Sequence, residues 1–209
     1  MSVLTQLASA QGRRDEVPNQ ELAKDLVQEM DKKGIKELAD NLWNNDKNIA
    51  FDCIKVLYEV GYLEPRLISQ YAEDFVRLLS SKNNRMVWGG ALALSTIAGI
   101  SADILFPHTD IIINAVRTGS VITQDNGIGA LAIIASKNNR YRKRILPFLF
   151  RHLETCRPQS LPQHSEKTLC TVNKKNADAF IHLLEKRLSG LTLPQRKRVK
   201  KVIKQAEIL

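Results

Sequence analysis

The fifteen residues at 85–99, RMVWGGALALSTIAG, decide how the rest of the chain reads. They are apolar nearly all round, which marks a helix buried on every side. The stretch falls short of the roughly 20 residues needed to cross a bilayer. Its glycines and alanines let neighbouring helices approach closely. Part of it returns downstream: GALAL at 90–94 is echoed by GALAI at 129–133, a shift of 39. Prolines at 65, 107 and 147 fall 42 and 40 residues apart, each read as the start of a first helix. A helix pair every 38–42 residues, too small to bury its own apolar face, predicts an all-α superhelix built by stacking.

Outward from that helix, apolar residues keep helical spacing and no run of strict alternation occurs. Upstream, Leu22, Leu26, Val27 and Met30 form one stripe, closed by DKKG with Gly34 as the left-handed residue after the helix. Ile35, Leu38, Ala39 and Leu42 follow; NNDKN at 44–48 breaks the pattern, and Ile49, Cys53, Val56, Leu57 and Val60 resume it. Leu67, Tyr71, Phe75, Leu78 and Leu79 make the next helix, ending at SSKNN. Downstream come ISADILFP, the helix HTDIIINAVRTG, a turn at SVITQDN and the small-residue helix GIGALAIIA. After Cys156 the regularity weakens. RPQSLPQH at 157–164 reads as a loop, SEKTLCTV as a short helix capped by Ser165, and NKKN at 173–176 as a break. ADAFIHLLEKRLSG and TLPQRKRVKKVIKQAEIL are the last two helices, with Pro194 in a first turn where its missing N–H costs nothing. The expected organisation is one domain over 1–209: capping helices at 1–34, repeats at 35–156 and irregular basic helices at 157–209.

Two stretches, LADNLWNNDKNIAFDCIKVLYEVG and FVRLLSSKNNRMVWGGALALSTIAG, resemble HEAT and HEAT-like (armadillo-type) repeats. The likeness lies in a leucine-ending first helix, an Asp/Asn turn, and Val–Ala–Leu spacing along the second helix. It covers about residues 35–156; the tetratricopeptide and ankyrin periods, 34 and 33, are too short. The resemblance implies a right-handed superhelix of helix pairs whose second helices line a concave face. It also implies a scaffold role, binding protein or nucleic acid.

Aromatics are 6% of the chain, and the three cysteines, Cys53, Cys156 and Cys170, include no Cys-x-x-Cys pair, which fits a reducing cytoplasm. The first residues lack the basic start and apolar run of a signal peptide. The net charge of +9 is uneven: residues 1–136 carry 13 Lys+Arg against 17 Asp+Glu, and residues 137–209 carry 18 against 5. That asymmetry points to an anionic partner for the C-terminal third.

The candidate anionic-partner residues are Arg140, Arg142, Lys143 and Arg144 in RYRKR, with Arg196, Lys197, Arg198, Lys200, Lys201 and Lys204 on the last helix. Val199, Val202, Ile203 and Ala206 give that helix an apolar side, so it also reads as the cap of the stack. Tyr141 offers a single ring for base stacking. His152, Cys156, His164 and Cys170 form a zinc alternative, with the first two a helical turn apart. No cofactor is otherwise expected. HEAT-like DNA glycosylases and bilin lyases are enzyme precedents of this architecture, but no carboxylate lies within a turn of Trp88, and Asp52 and Asp125 lack the aromatic context those glycosylases use. Trp88 and Cys53 read as packing residues. The expectation is a non-catalytic scaffold for a protein partner, with nucleic-acid binding as the alternative. Ser-Lys-Asn-Asn-Arg, found at 81–85 and again at 136–140, reads as turn chemistry, because Asn suits helix caps.

Overall fold

Three short polar side chains set the rhythm of the molecule. Asp46, Asn83 and Ser120, each 37 residues after the one before, sit in extended backbone and accept an N–H from the first turn of the helix that follows. Asp46 takes Asn48 N at 2.8 Å, Asn83 takes Arg85 N at 2.9 Å and Ser120 takes Thr123 N at 3.4 Å. Each thereby satisfies a donor that a helix start would otherwise leave unpaired. The helices they open are α3 (Lys47–Leu63), α5 (Asn84–Ile97) and α8 (Val121–Lys137).

The computed structural model describes residues 2–208. Before α3 come α1 (Val17–Gln28) and α2 (Lys32–Asp40); between the capped helices lie α4 (Ala72–Leu78), α6 (Ala102–Leu105) and α7 (Thr109–Thr118). After them come α9 (Asn139–Thr155), α10 (Leu161–Thr168), α11 (Ala177–Arg187) and α12 (Leu193–Glu207), with short 3-10 turns between. Among the described residues there is no strand. The helices α1, α3, α5, α8, α10 and α12 pack in sequence as one layer. The second layer consists of α2 on α3, α4 on α5, α7 on α8, α9 against α8 and α10, and α11 against α9 and α12. The architecture is an all-α solenoid.

Several local expectations change. The repeat is 37 residues, as the three caps mark it, and Pro147 does not begin a helix: it lies inside α9, on its exposed side. There the carbonyl it leaves without a partner, that of Lys143, belongs to an exposed residue. The GALAL/GALAI echo pairs unlike positions. Gly90 and Gly127 are each seventh in their helix, and a Cβ at either would run into that helix's own second-layer partner: Leu78 and Phe75 of α4, or Val116 of α7. Gly129 faces Lys167 of α10 instead. SVITQDN is helical, since Ser120 caps it. Gly34 is buried inside α2; the left-handed residue is Met30, at φ 52°, and Asp31 caps α2 through Lys33 N and Gly34 N. Residues 161–164 of the expected loop open α10, so Ser165 lies inside that helix, donating to Pro162 C=O.

The two Ser-Lys-Asn-Asn-Arg copies place their first Asn at the same task. Asn83 caps α5 and Asn138 caps α9, accepting from Tyr141 N at 2.9 Å. Replacing either by alanine should cost about 1 kcal/mol in chemical denaturation, while leaving the solenoid's far-ultraviolet dichroism unchanged.

The apolar core comes in two clusters. One runs from Val3 to Leu149, the other from Leu153 to Ala206 around Phe180 and Leu184.

Candidate functional site: the second-helix face, the basic C-terminal surface and a histidine–cysteine cluster

On the layer of α3, α5 and α8, the side that the first helices do not cover carries half-buried apolar residues: Phe51, Trp88, Leu92 and Ile133. They follow helical spacing in α5, where 85, 88, 92 and 95 share a face. Contacts between successive helices tie this surface together. Arg85 lies over the Phe51 ring at 4.7 Å, Tyr58 packs on Trp88 at 6.3 Å, and Ser95 Oγ meets Asn126 Oδ1 at 3.3 Å. Lys55 is buried and bonds both Glu16 and Glu59 at 2.7 Å. Burial opposes its charge, but the two carboxylates outweigh that and hold its ammonium pKa up. A cavity of about 520 Å³ opens beside Phe51 and Arg85, lined also by Arg13, Arg14 and Asp15. At its base Asp52 accepts from Ser9 N and from Asn19 Nδ2, both at 2.8 Å, so this acid braces the N-terminal segment.

The two basic segments lie on different layers, RYRKR on α9 and 196–204 on α12. Arg144 is paired to Asp110, and Arg198 grips Glu166 through both guanidinium nitrogens at 2.7 and 2.9 Å. Arg142 donates to Asn139 Oδ1, Arg196 to Leu191 C=O, and Arg140 lies over Phe106. Lys143, Lys197, Lys200, Lys201 and Lys204 are exposed, and the ion pairs among the described residues do not include them. Tyr141 is withdrawn from stacking: it is buried, 4.0 Å from the Phe106 ring, and donates to Asp103 at 2.6 Å. The start of α9 meets the turn before α11, where Arg142, Lys143 and Lys175 share a groove of about 360 Å³.

A third group lies where α9 ends. His152 from α9, Cys156 just past the end of that helix and His164 from α10 bring one donor atom each to within 4.8 Å of one another. Asp125, on α8, accepts from His164 Nε2 at 2.8 Å, so His164 Nδ1 is left as an acceptor and takes the Nε2 proton of His152, also at 2.8 Å. Burial, then the neighbouring His164, holds the His152 pKa down at about 4, and burial lowers that of His164. Cys170 is not in the group; its thiol donates to Lys167 C=O at 3.3 Å.

No family model matches this chain, and no curated relative matches it. Solved structures do. A designed armadillo repeat protein superposes at a TM-score of 0.69 with 13% identity, over 96% of this chain and 98% of that one. Another, solved with the peptide (KR)4, gives 0.69 at 14% identity, over 90% and 86%. The chain folds as an armadillo/HEAT-type helical repeat. Kap121p, solved bound to Pho4p, gives 0.65 at 15% identity over 88% of this chain, which spans 21% of the Kap121p chain.

In this armadillo/HEAT-type solenoid, Trp88 is neither a sealed core anchor nor a free ring but a half-exposed side chain resting on the core. Cys53 is fully buried, and burial pushes its thiol up to about 12, which suits packing. Two features escaped sequence reading. Lys175 joins RYRKR only through the fold, although NKKN is visibly basic. Asp125 reaches His164 only because 121–126 is helical. No helix among the described residues is long and apolar enough to cross a membrane.

Proposed function

We propose that this chain is a non-catalytic scaffold that binds a protein partner along the face of its second helices, taken as the concave face. The observation that carries the reading is the half-buried stripe Phe51, Trp88, Leu92 and Ile133, an apolar strip flanked by Arg85. An extended peptide offering apolar anchors would bury that strip, and large aromatic residues such as Trp88 usually dominate such interfaces. The designed armadillo protein with its (KR)4 peptide and Kap121p with Pho4p support it as solenoids of this fold that hold a peptide or a protein. Three free cysteines support a cytoplasmic setting.

Peptide selection from a displayed library on the immobilised protein tests the proposal. Selected peptides should lose roughly tenfold or more in affinity on Trp88→Ala, yet bind Glu73→Ala on α4 unchanged. Equal binding by Trp88→Ala would remove this face from the reading.

A second reading gives the basic C-terminal third an anionic partner, nucleic acid foremost. Lys143, Lys197, Lys200, Lys201 and Lys204 favour it, being exposed and outside the ion pairs. It requires salt-sensitive binding of labelled DNA or RNA that survives Trp88→Ala and weakens on Lys197→Glu with Lys201→Glu.

A further inference from the structure

Two helices, α9 and α10, bring two imidazoles and a thiol together at the point where the chain passes from one to the other. His152 and Cys156 stand one turn apart, so both project from one side of the end of α9. His164 is fully buried, yet its ring is not apolar packing: one nitrogen is held by a carboxylate and the other is aimed at His152. A carboxylate on the far nitrogen is the usual support of a metal-bound histidine, since it fixes the ring and turns the remaining lone pair toward the ion. Lys167 bonds Asp125 C=O at 2.6 Å and so ties α10 to the same residue that orients His164. Beside the thiol, the Arg187 guanidinium bonds the carbonyls of Leu153, Glu154 and Cys156. Burial pushes the Cys156 thiol up, and this guanidinium opposes that rise.

From these contacts we infer that His152, Cys156 and His164 form a metal site, that zinc is its ion, and that Asp125 is its positioning residue. Two nitrogens and a sulfur suit zinc and exclude magnesium and calcium, which take oxygen donors. In a tetrahedral site with Zn–N of about 2.0–2.1 Å, two ligand nitrogens stand about 3.3 Å apart. Here they are 2.8 Å apart in a direct hydrogen bond, so the ion enters as the rings part by about half an ångström. His152, only partly buried, is the ring that can move. Uptake releases one proton, that of the Cys156 thiol. The Nε2 proton of His152 passes to its own Nδ1, a change of tautomer that releases nothing. Three protein ligands leave the fourth position to water or to a donor from a partner.

The test uses the full chain, stripped of metal with a chelator and titrated with zinc against a chromophoric zinc indicator. Cobalt(II) provides the spectroscopic readout. One zinc per chain is expected, with a thiolate-to-cobalt charge-transfer band. Cys156→Ser and His152→Gln should each bind zinc at least about tenfold more weakly, the first with loss of that band, and Asp125→Asn should lose about 10–100-fold. Cys170→Ser should bind as the parent does. These positions are at least partly exposed, and matched far-ultraviolet dichroism of the metal-free variants separates lost ligation from lost folding. Should Cys156→Ser unfold, His152→Gln and Asp125→Asn decide the matter. Sub-stoichiometric zinc in the parent overturns the site, as does parent-like zinc affinity in folded Cys156→Ser or His152→Gln.

Discussion

Phe75→Ala is expected to destabilise the protein by about 3–5 kcal/mol, the range for deleting a large side chain from a close-packed core. Phe75 is fully buried in α4, a helix of seven residues. A helix that short has little stability of its own and owes its existence to what it packs against. The backbone carbonyl of the same residue lies against Gly90, so α4 and α5 meet where no side chain of α5 could refill the hole. Urea denaturation checks the figure, with the midpoint falling and the slope unchanged if the native state keeps its extent. In thermal unfolding the shift should be on the order of 10 °C for a chain of this size.

The second large effect separates two registers of the repeat. Gly90→Val and Gly127→Val should each cost about 1–3 kcal/mol, because the added carbons overpack a tight helix contact. At Gly90 a Cβ would stand 2.9 Å from Leu78 Cβ and 3.0 Å from Phe75 O, atoms that move only if α4 moves. At Gly127 it would stand 2.4 Å from Val116 Cγ2. Gly129→Ala should instead be neutral or stabilising by up to about 1 kcal/mol, the helix propensity gained over glycine. Its Cβ would meet only the flexible end of Lys167, at 3.4–3.6 Å. A repeat of 39 would require Gly129 to behave as Gly90 does. Melting temperatures of the three variants decide between 37 and 39.

The architecture was legible in the sequence because helix stripes and polar breaks are local signals. Leu22 and Leu26, or Cys53, Val56, Leu57 and Val60, are buried as their spacing predicts. The register was not legible from GALAL and GALAI, since small residues recur wherever helices come close, whichever neighbour they admit. The better signal was the capping series Asp46, Asn83 and Ser120, which marks where the chain changes direction. Pro147 misled because proline signals a helix start only when its missing N–H falls in the first turn. At the candidate sites, His152 and Cys156 could be paired by spacing alone. Asp125 could not, because a polar run such as TQDN reads as a turn until its cap is known. Which cations of the basic third are spent on Asp110 and Glu166 is a tertiary fact with no local trace.

The division of the apolar core has a mechanical consequence. Helix α9 contributes Leu149 to one cluster and Leu153 to the other, so a single rigid rod carries load across a seam between two hydrophobic bodies. Where two parts of a repeat array meet at such a junction, the end segment can detach while the remainder holds. Hydrogen exchange would then run faster in α11 and α12 than in α3, α5 and α8. His152 lies between those two leucines, and with Cys156 and His164 it occupies the joint itself. An ion seated there would act as a rivet, setting whether the chain yields in one step or two.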